Sequence, residues 1–278
     1  MALLPAIALG LAACGGAGAS SSGEESTDAE GADLTTLTVG FNAGPYEDQF
    51  TQGIQPILEA QGYEIETQTF TDGIQVNAAL ADGQIQANIM QHSVYMDYVN
   101  DQRGFDNTAL VQVPSPPMGL FAGTSDSTTP ADGATVAVPN EPSNLYRALL
   151  LLQKVGWLTV SDDINAGTAS LNDIADNPHD LQLTLLEPSQ AVRSLEDMDY
   201  ATVQGNFVVS SGMKLTDALE LEDLQDQFSV IVAVAGGTED TSWAQDIVDA
   251  YHSQEFQDFI TSNDTYAGYR LPDYFTEQ

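Results

Sequence analysis

Strand-like and helix-like runs alternate along nearly the whole body of this chain, and they do so in two series. Leu37-Thr38-Val39-Gly40-Phe41 is rich in β-formers and ends in the small-residue turn Asn42-Ala43-Gly44-Pro45. The spacing of Phe50, Ile54 and Ile57 predicts a helix over about 46–60, stopped by Gly62. A strand over 65–70, a helix over 75–80, a short strand over 87–90, a helix starting at 94–99 and a strand over 110–113 follow, up to the bend Ser115-Pro116-Pro117. The second series predicts strand 134–138, helix 143–155, a helix near 170–175, strand 181–186, helix 189–195 and strand 201–203. A strand over 230–235 and helices over 243–260 close the chain. Repeated β-α units imply largely parallel sheets covered on both faces by helices. Two such series imply an α/β protein with two lobes and a cleft between them. Ligands of open α/β sheets bind beyond the carboxyl ends of strands. That rule singles out Asn42–Pro45, Phe70–Gly73, Met90–Tyr95, Pro139–Arg147 and Gly205–Phe207.

The 278 residues suit two lobes better than one simple core. The only cysteine is Cys14, so no disulfide staples the body. It follows an apolar run, closes Leu11-Ala12-Ala13-Cys14, and precedes a Gly/Ser/Glu tract. The run is too short to span a bilayer, which takes roughly 20 residues. It has the length and small-residue exit of a secretion signal, although Met1–Pro5 lacks the usual Lys or Arg. Residues 1–14 are expected to be a lipoprotein signal with Cys14 lipidated and anchoring the chain to the outside of the cell membrane. A cut at an ordinary site, leaving a free thiol, is the alternative. Gly15–Asp33 contains no aromatic residue and only Thr27 as a β-branched one, so residues 15–34 are read as a flexible tether. The expected layout beyond it is lobe I at 35–121 plus 230–278 and lobe II at 122–229.

Forty-one acidic residues stand against 6 basic ones, a net charge of -35. Nucleic acid is excluded as a partner, because its binding rests on Lys and Arg contacts to phosphate. A chain this acidic repels itself unless salt screens it. The balance fits a saline habitat; an acidic one, where carboxylates are neutral, is the competing explanation. Scarcity makes each basic residue conspicuous.

Nucleophile-elbow, zincin, P-loop and dinucleotide-binding motifs are all missing, and the 3 histidines lack metal-ligand spacing. No catalytic residue, metal or cofactor is expected. Pro139-Asn140-Glu141-Pro142-Ser143-Asn144-Leu145-Tyr146-Arg147 is the most informative stretch. Strand passes to helix there, with Ser143 a suitable N-cap. Helix-end N–H groups and Arg147, one turn in, can grip a carboxylate from two sides. A surface arginine paired with a nearby acid is the other reading. Asn140 and Asn144 either join that grip or cap the turn. In the second stretch, Met90, His92 and Tyr95 can line a cleft with soft, polarisable groups suited to a thioether, although a lone His92 also fits a structural hydrogen-bonding role. In the third, Asn206 either accepts from an ammonium group or serves as a left-handed turn residue.

With Phe41-Asn42-Ala43-Gly44-Pro45, Thr69-Phe70-Thr71-Asp72, Asn77-Ala78-Ala79-Leu80, Ala87-Asn88, Gln91-His92, Arg193-Ser194-Leu195 and Gly205-Asn206, and above all the run Ala134–Gln153, the body resembles the NlpA/MetQ methionine-binding lipoproteins. The resemblance implies a type II periplasmic-binding-protein fold that closes around one amino acid. It implies that Arg147 holds the ligand carboxylate with Asn144 or Asn140, and that Asn206 holds the amino or carboxylate end. Phe70, Met90, His92 and Tyr95 would line the side-chain pocket. The chain departs from the family pattern at Gly73 and Phe207, where Tyr is usual, and at Met90, where Phe is usual. The implied function is an extracytoplasmic, monomeric receptor that passes methionine to an ABC permease driven by its ATPase. The altered side-chain end leaves a different amino acid, a methionine derivative or a Met-containing dipeptide as alternatives, and an aromatic restored at Gly73 is expected to tighten methionine binding. A ligand-free surface interaction protein, or a hydrolase or transferase on the same scaffold, are the readings from other classes.

Overall fold

The computed structural model describes residues 36–276. The expected signal at 1–14, with Cys14, and the expected tether at 15–34 lie outside the described residues. The first series comprises β1 (Thr36–Asn42), α1 (Tyr46–Gly53), α2 (Gln55–Ala60), β2 (Glu64–Phe70), α3 (Gly73–Ala81), β3 (Ala87–His92), α4 (Ser93–Arg103) and β4 (Thr108–Gln112). The second comprises β5 (Gly119–Ala122), β6 (Thr135–Pro139), α5 (Pro142–Lys154), β7 (Thr159–Val160), β8 (Ile174–Asp176), β9 (Gln182–Leu186), α6 (Ala191–Ser194), β10 (Tyr200–Val203), α7 (Gly205–Ser210) and β11 (Glu220–Leu221). The chain then returns through β12 (Val230–Val234), α8 (Ser242–His252) and α9 (Gln254–Thr261).

Two five-stranded sheets result, in the orders β2-β1-β3-β12-β4 and β11-β5-β10-β6-β9. Three strands of each are parallel: β2, β1 and β3 in one, β9, β6 and β10 in the other. The remaining pairings, of β12 with β3 and β4 and of β5 with β10 and β11, are antiparallel. Helical crossovers enforce parallel neighbours. The antiparallel strands are those next to the two segments that cross between the sheets. β5 already belongs to the second sheet, ahead of the crossing expected at 121/122.

Helices cover both faces of each sheet. One face of the first buries Leu37, Val39, Phe41 and Val232 under α1, α2, α8 and α9 through Phe50, Leu58, Ile247 and Phe256. The other buries Ile231 and Ala233 against Val76 and Leu80 of α3 and Met96 of α4. In the second sheet Val136 and Val138 pack on Leu145, Ala148, Leu149 and Leu152, the apolar stripe of α5. α6 and α7 close the opposite face through Ala191 and Val208.

Three local expectations change. The helix over 46–60 breaks at Ile54 into α1 and α2. The segment near 170–175 is a short 3-10 turn, Leu171–Asp173, followed by β8 paired antiparallel with β7. Ser170 binds the turn in a capping box with Asp173, and such local side-chain bonds compete with a longer helix. Ser143 does not cap α5; Glu141 stands at the N-cap, because Pro142 is placed at the first helical turn.

The motif residues Asn77, Asn88 and Gln91 form one buried amide cluster. Asn77 and Gln91 exchange two side-chain hydrogen bonds at 2.7 and 2.6 Å, and Gln91 also donates to Asn88 at 3.1 Å. Asn107 donates to the Asn77 carbonyl at 3.1 Å, and Asn77 to the Gly73 carbonyl at 3.0 Å. The cluster ties α3, β3 and the 104–107 loop together directly beneath the turns that follow β2 and β3. Asn77→Ala would strand several buried amide groups, so we expect a loss of about 2–4 kcal/mol of stability, measured by urea unfolding against the parent chain.

Candidate functional site

The carboxyl ends of the parallel strands converge. β1, β2 and β3 end at Asn42, Phe70 and His92, and β6, β9 and β10 at Pro139, Leu186 and Val203. Between these two sets of ends lies a cavity of about 370 Å³, near the small end of the roughly 300–1,000 Å³ usual for small-molecule sites. Its walls take Asn42, Asp72, Gly73, Met90, His92 and Tyr95 from the first lobe. The second lobe supplies Asn140, Glu141, Asn144, Arg147, Gln204 and Asn206. Phe228, on the returning crossing, closes one side.

Arg147 is at the centre of its polar contacts. It is 7% exposed, and Glu222, at 8%, is its counter-ion. Nε donates to Glu222 Oε2 at 3.0 Å, and Nη2 donates to Oε1 of the same carboxylate. Nη1 donates to Asn144 Oδ1 at 3.0 Å. The guanidinium also lies over the Phe228 ring, 5.6 Å from its centroid. Of the five N–H groups an arginine carries, three are used in this way, leaving one on each terminal nitrogen. The sequence alternatives for Arg147 therefore meet: it lines the cleft, and it is paired with an acid.

His92 is buried, with ring Nε2 3.3 Å from Asn144 Oδ1. Its Nδ1 accepts the Tyr95 N–H at 3.1 Å, so His92 caps α4. Accepting at Nδ1 and meeting an acceptor at Nε2 fixes the neutral ring with its proton on Nε2. Burial, helped by the charge of Arg147, pushes its pKa down to about 3. His92 also packs edge-on against Phe228 at 5.2 Å.

Met90, Tyr95, Asn140 and Asn206 line the same cavity, but with different engagements. Asn140 Nδ2 donates to Glu187 Oε1 at 2.7 Å. Asn206 Nδ2 donates to the Ala43 carbonyl at 3.3 Å, a bridge from one lobe to the other. Asn206 opens helix α7 and is not a left-handed turn residue. Gly205 before it is forced by space: a Cβ would stand 2.5 Å from the carbonyls of Pro116 and Pro117. Phe70 is not brought to the cavity. Its ring lies over Gly40, within 3.2 Å of where a Cβ would be, and packs with Val76 and Ile85. At Gly73, a Cβ would meet the Tyr95 hydroxyl at 2.8 Å, so Tyr95 fills the space beside position 73.

Sequence reasoning missed Glu222, Phe228, Gln204 and the role of Glu141. Glu222 and Phe228 sit on an irregular crossing without a motif, and one acid among 41 draws no notice. Among the described residues, no group of three or more His, Cys, Asp and Glu side chains could hold a metal ion.

The sequence matches the NlpA lipoprotein family over residues 37–274. The chain belongs to that family. It is 35% identical over 231 residues to the D-methionine-binding lipoprotein MetQ of Salmonella typhi, covering 80% of this chain and 83% of that one. To the protein of the same name from Yersinia pestis it is 34% identical over 230 residues, covering 80% and 83%. The fold matches that of a nutrient binding protein from Burkholderia cenocepacia bound to methionine, with TM-score 0.78 and 32% identity over 84% of this chain and 99% of that one. The two-lobed α/β fold with its inter-lobe cleft is thus the family's fold.

Neutral His92 generates a pH dependence. Unfolded, its imidazole takes a proton near pH 6.5; folded, it resists protonation down to about 3. Between these values the unfolded state binds more protons, so stability is full above about 6.5 and lost as pH falls. We expect His92→Gln to flatten the melting-temperature slope between pH 6.5 and 4 relative to the parent chain, read by calorimetry.

Proposed function

We propose that this chain is an extracytoplasmic receptor that binds methionine in the inter-lobe cleft and hands it to an ABC importer. Arg147 carries the reading: a buried guanidinium, already oriented by Glu222, lines a cavity sized for one amino acid and has two N–H groups not used within the protein. Two parallel N–H groups suit a carboxylate, and Asn144 extends the grip. The thioether would lie among Met90, His92, Tyr95 and Phe228, whose polarisable surfaces suit sulfur. The names of the relatives and the methionine bound to the Burkholderia protein support that choice. Ligand contacts on both lobes would favour the closed arrangement by their differential affinity. The Asn206–Ala43 bridge marks where the lobes meet. In this reading Cys14 is the lipid anchor, residues 1–14 are the signal and 15–34 the tether. The permease and its ATPase are the membrane partners, and the chain acts as a monomer without catalysis.

Arg147→Lys keeps the charge and removes the fork. We expect methionine affinity to fall at least tenfold by titration calorimetry, and unchanged affinity would remove Arg147 from the ligand. The side-chain end tests separately. Because Tyr95 already fills the space beside Gly73, Gly73→Tyr alone is expected to weaken binding rather than tighten it. The pair Gly73→Tyr with Tyr95→Ala should recover it; tighter binding in the single variant would show that Tyr95 yields freely.

A further inference from the structure

Strands β9, β6 and β10 end side by side and deliver Glu187, Asn140 with Glu141, and Gln204 to one wall of the cavity. Glu141 holds the N-cap position of α5, yet its side chain makes no capping bond. One of its carboxylate oxygens, Oε2, is buried without a hydrogen-bond partner. A second observation comes from the neighbouring strand. Gln204 is only 8% exposed, lines the same cavity, and its Oε1 also lacks a partner. Buried acceptors without donors are rare in folded proteins and call for an explanation. Both acceptors belong to side chains that line one cavity, where a ligand can supply the donor. Arg147 stands further along the same helix and donates to Asn144, which lies between it and Glu141 in sequence. One face of α5 therefore offers a cation and an anion separated by a single asparagine. A zwitterionic amino acid carries the complementary pair.

Resting on the reading of this cleft as an amino-acid site, we propose that Glu141, with Gln204 beside it, receives the ligand's ammonium group, so that the cleft requires a free cationic nitrogen as well as a carboxylate. Glu187 after β9, Asn144 on α5 and Tyr95 on α4 act on Glu141, and Asp72 at the start of α3, Arg147 on α5 and neutral His92 at the end of β3 line the same cavity. Three of these, Glu187, Asp72 and Tyr95, bring no positive charge, and Glu222 already neutralises Arg147. Burial first, and Glu187 after it, push the Glu141 carboxyl up to about 7. An ammonium group beside it favours the carboxylate. Binding near neutral pH therefore releases a proton from Glu141.

The test is titration calorimetry of the full chain at pH 7 in phosphate and in Tris. The two buffers absorb a released proton with different heats. The probes are D- and L-methionine, the other free amino acids, and N-acetylmethionine, which keeps the carboxylate and loses the ammonium. The parent chain should bind methionine with a buffer-dependent heat and N-acetylmethionine at least a hundredfold more weakly. Glu141→Gln should bind methionine at least tenfold more weakly, with the same heat in both buffers. Equal affinity of the parent chain for N-acetylmethionine overturns the proposal without recourse to any variant. Methionine binding unchanged in Glu141→Gln overturns it as well. If methionine fails but another free amino acid binds with proton release that Glu141→Gln abolishes, the methionine reading falls and the Glu141 assignment stands. If no free amino acid binds, both fall.

Discussion

The ion pair of Arg147 with Glu222 is the interaction on which the cleft depends. A guanidinium 7% exposed cannot stand alone. Taking one member from a buried pair costs about 3–5 kcal/mol, because the other is left as an uncompensated charge. Glu222 also accepts the backbone N–H of Met118. Met118 belongs to the first crossing between the sheets and Glu222 to the second. The carboxylate thus fastens the arginine to the backbone of one crossing while itself standing on the other. Held on its Nε and Nη2 side, the guanidinium has little rotamer freedom left to lose, and preorganisation of this kind lowers the cost of binding. The same pairing cancels the charge of the guanidinium before anything enters, so it adds no net positive charge to the cleft.

The architecture explains why the cleft has polar groups on both sides. Each sheet turns the ends of three parallel strands toward the other, and each strand end carries short polar or aromatic side chains onto a turn or a helix start. Asp72 caps α3 by accepting from Ile74 and Gln75 N–H. His92 caps α4. Those helix starts are consumed by side chains of the first lobe. The start of α5 is not capped by any side chain, so the second lobe keeps both open N–H groups and an open carboxylate. The lobes are therefore unequal partners: the first spends Asp72 and His92 on its own helix starts, and the second supplies the guanidinium and the unpartnered carboxylate oxygen.

Much of this was legible in the sequence, for definable reasons. Strands over 37–41, 65–70, 87–90, 134–138, 181–186, 201–203 and 230–235 were visible because two-residue alternation and apolar runs survive without tertiary context. Strand direction was not visible, since periodicity is the same either way along a chain; hence β12 and β5 run against their neighbours unannounced. The turns beyond parallel strands were found by topology alone, and Arg147, Asn144, His92, Met90, Tyr95, Asn140 and Asn206 all line one cavity. Phe70 failed because its ring turns to the α3 side of its strand, where Gly40 leaves room. Glu222 and Phe228 failed because a crossing segment has no period to read.

The amide cluster of Asn77, Asn88, Gln91 and Asn107 lies under this cleft and contains no ionisable group. The exterior, by contrast, carries a surplus of carboxylates whose mutual repulsion rises and falls with dissolved ions and acidity. A shelf built only from neutral amides is indifferent to both. Swings in brine strength or sourness would then alter how the outer shell repels its surroundings while leaving the geometry under the guest unchanged.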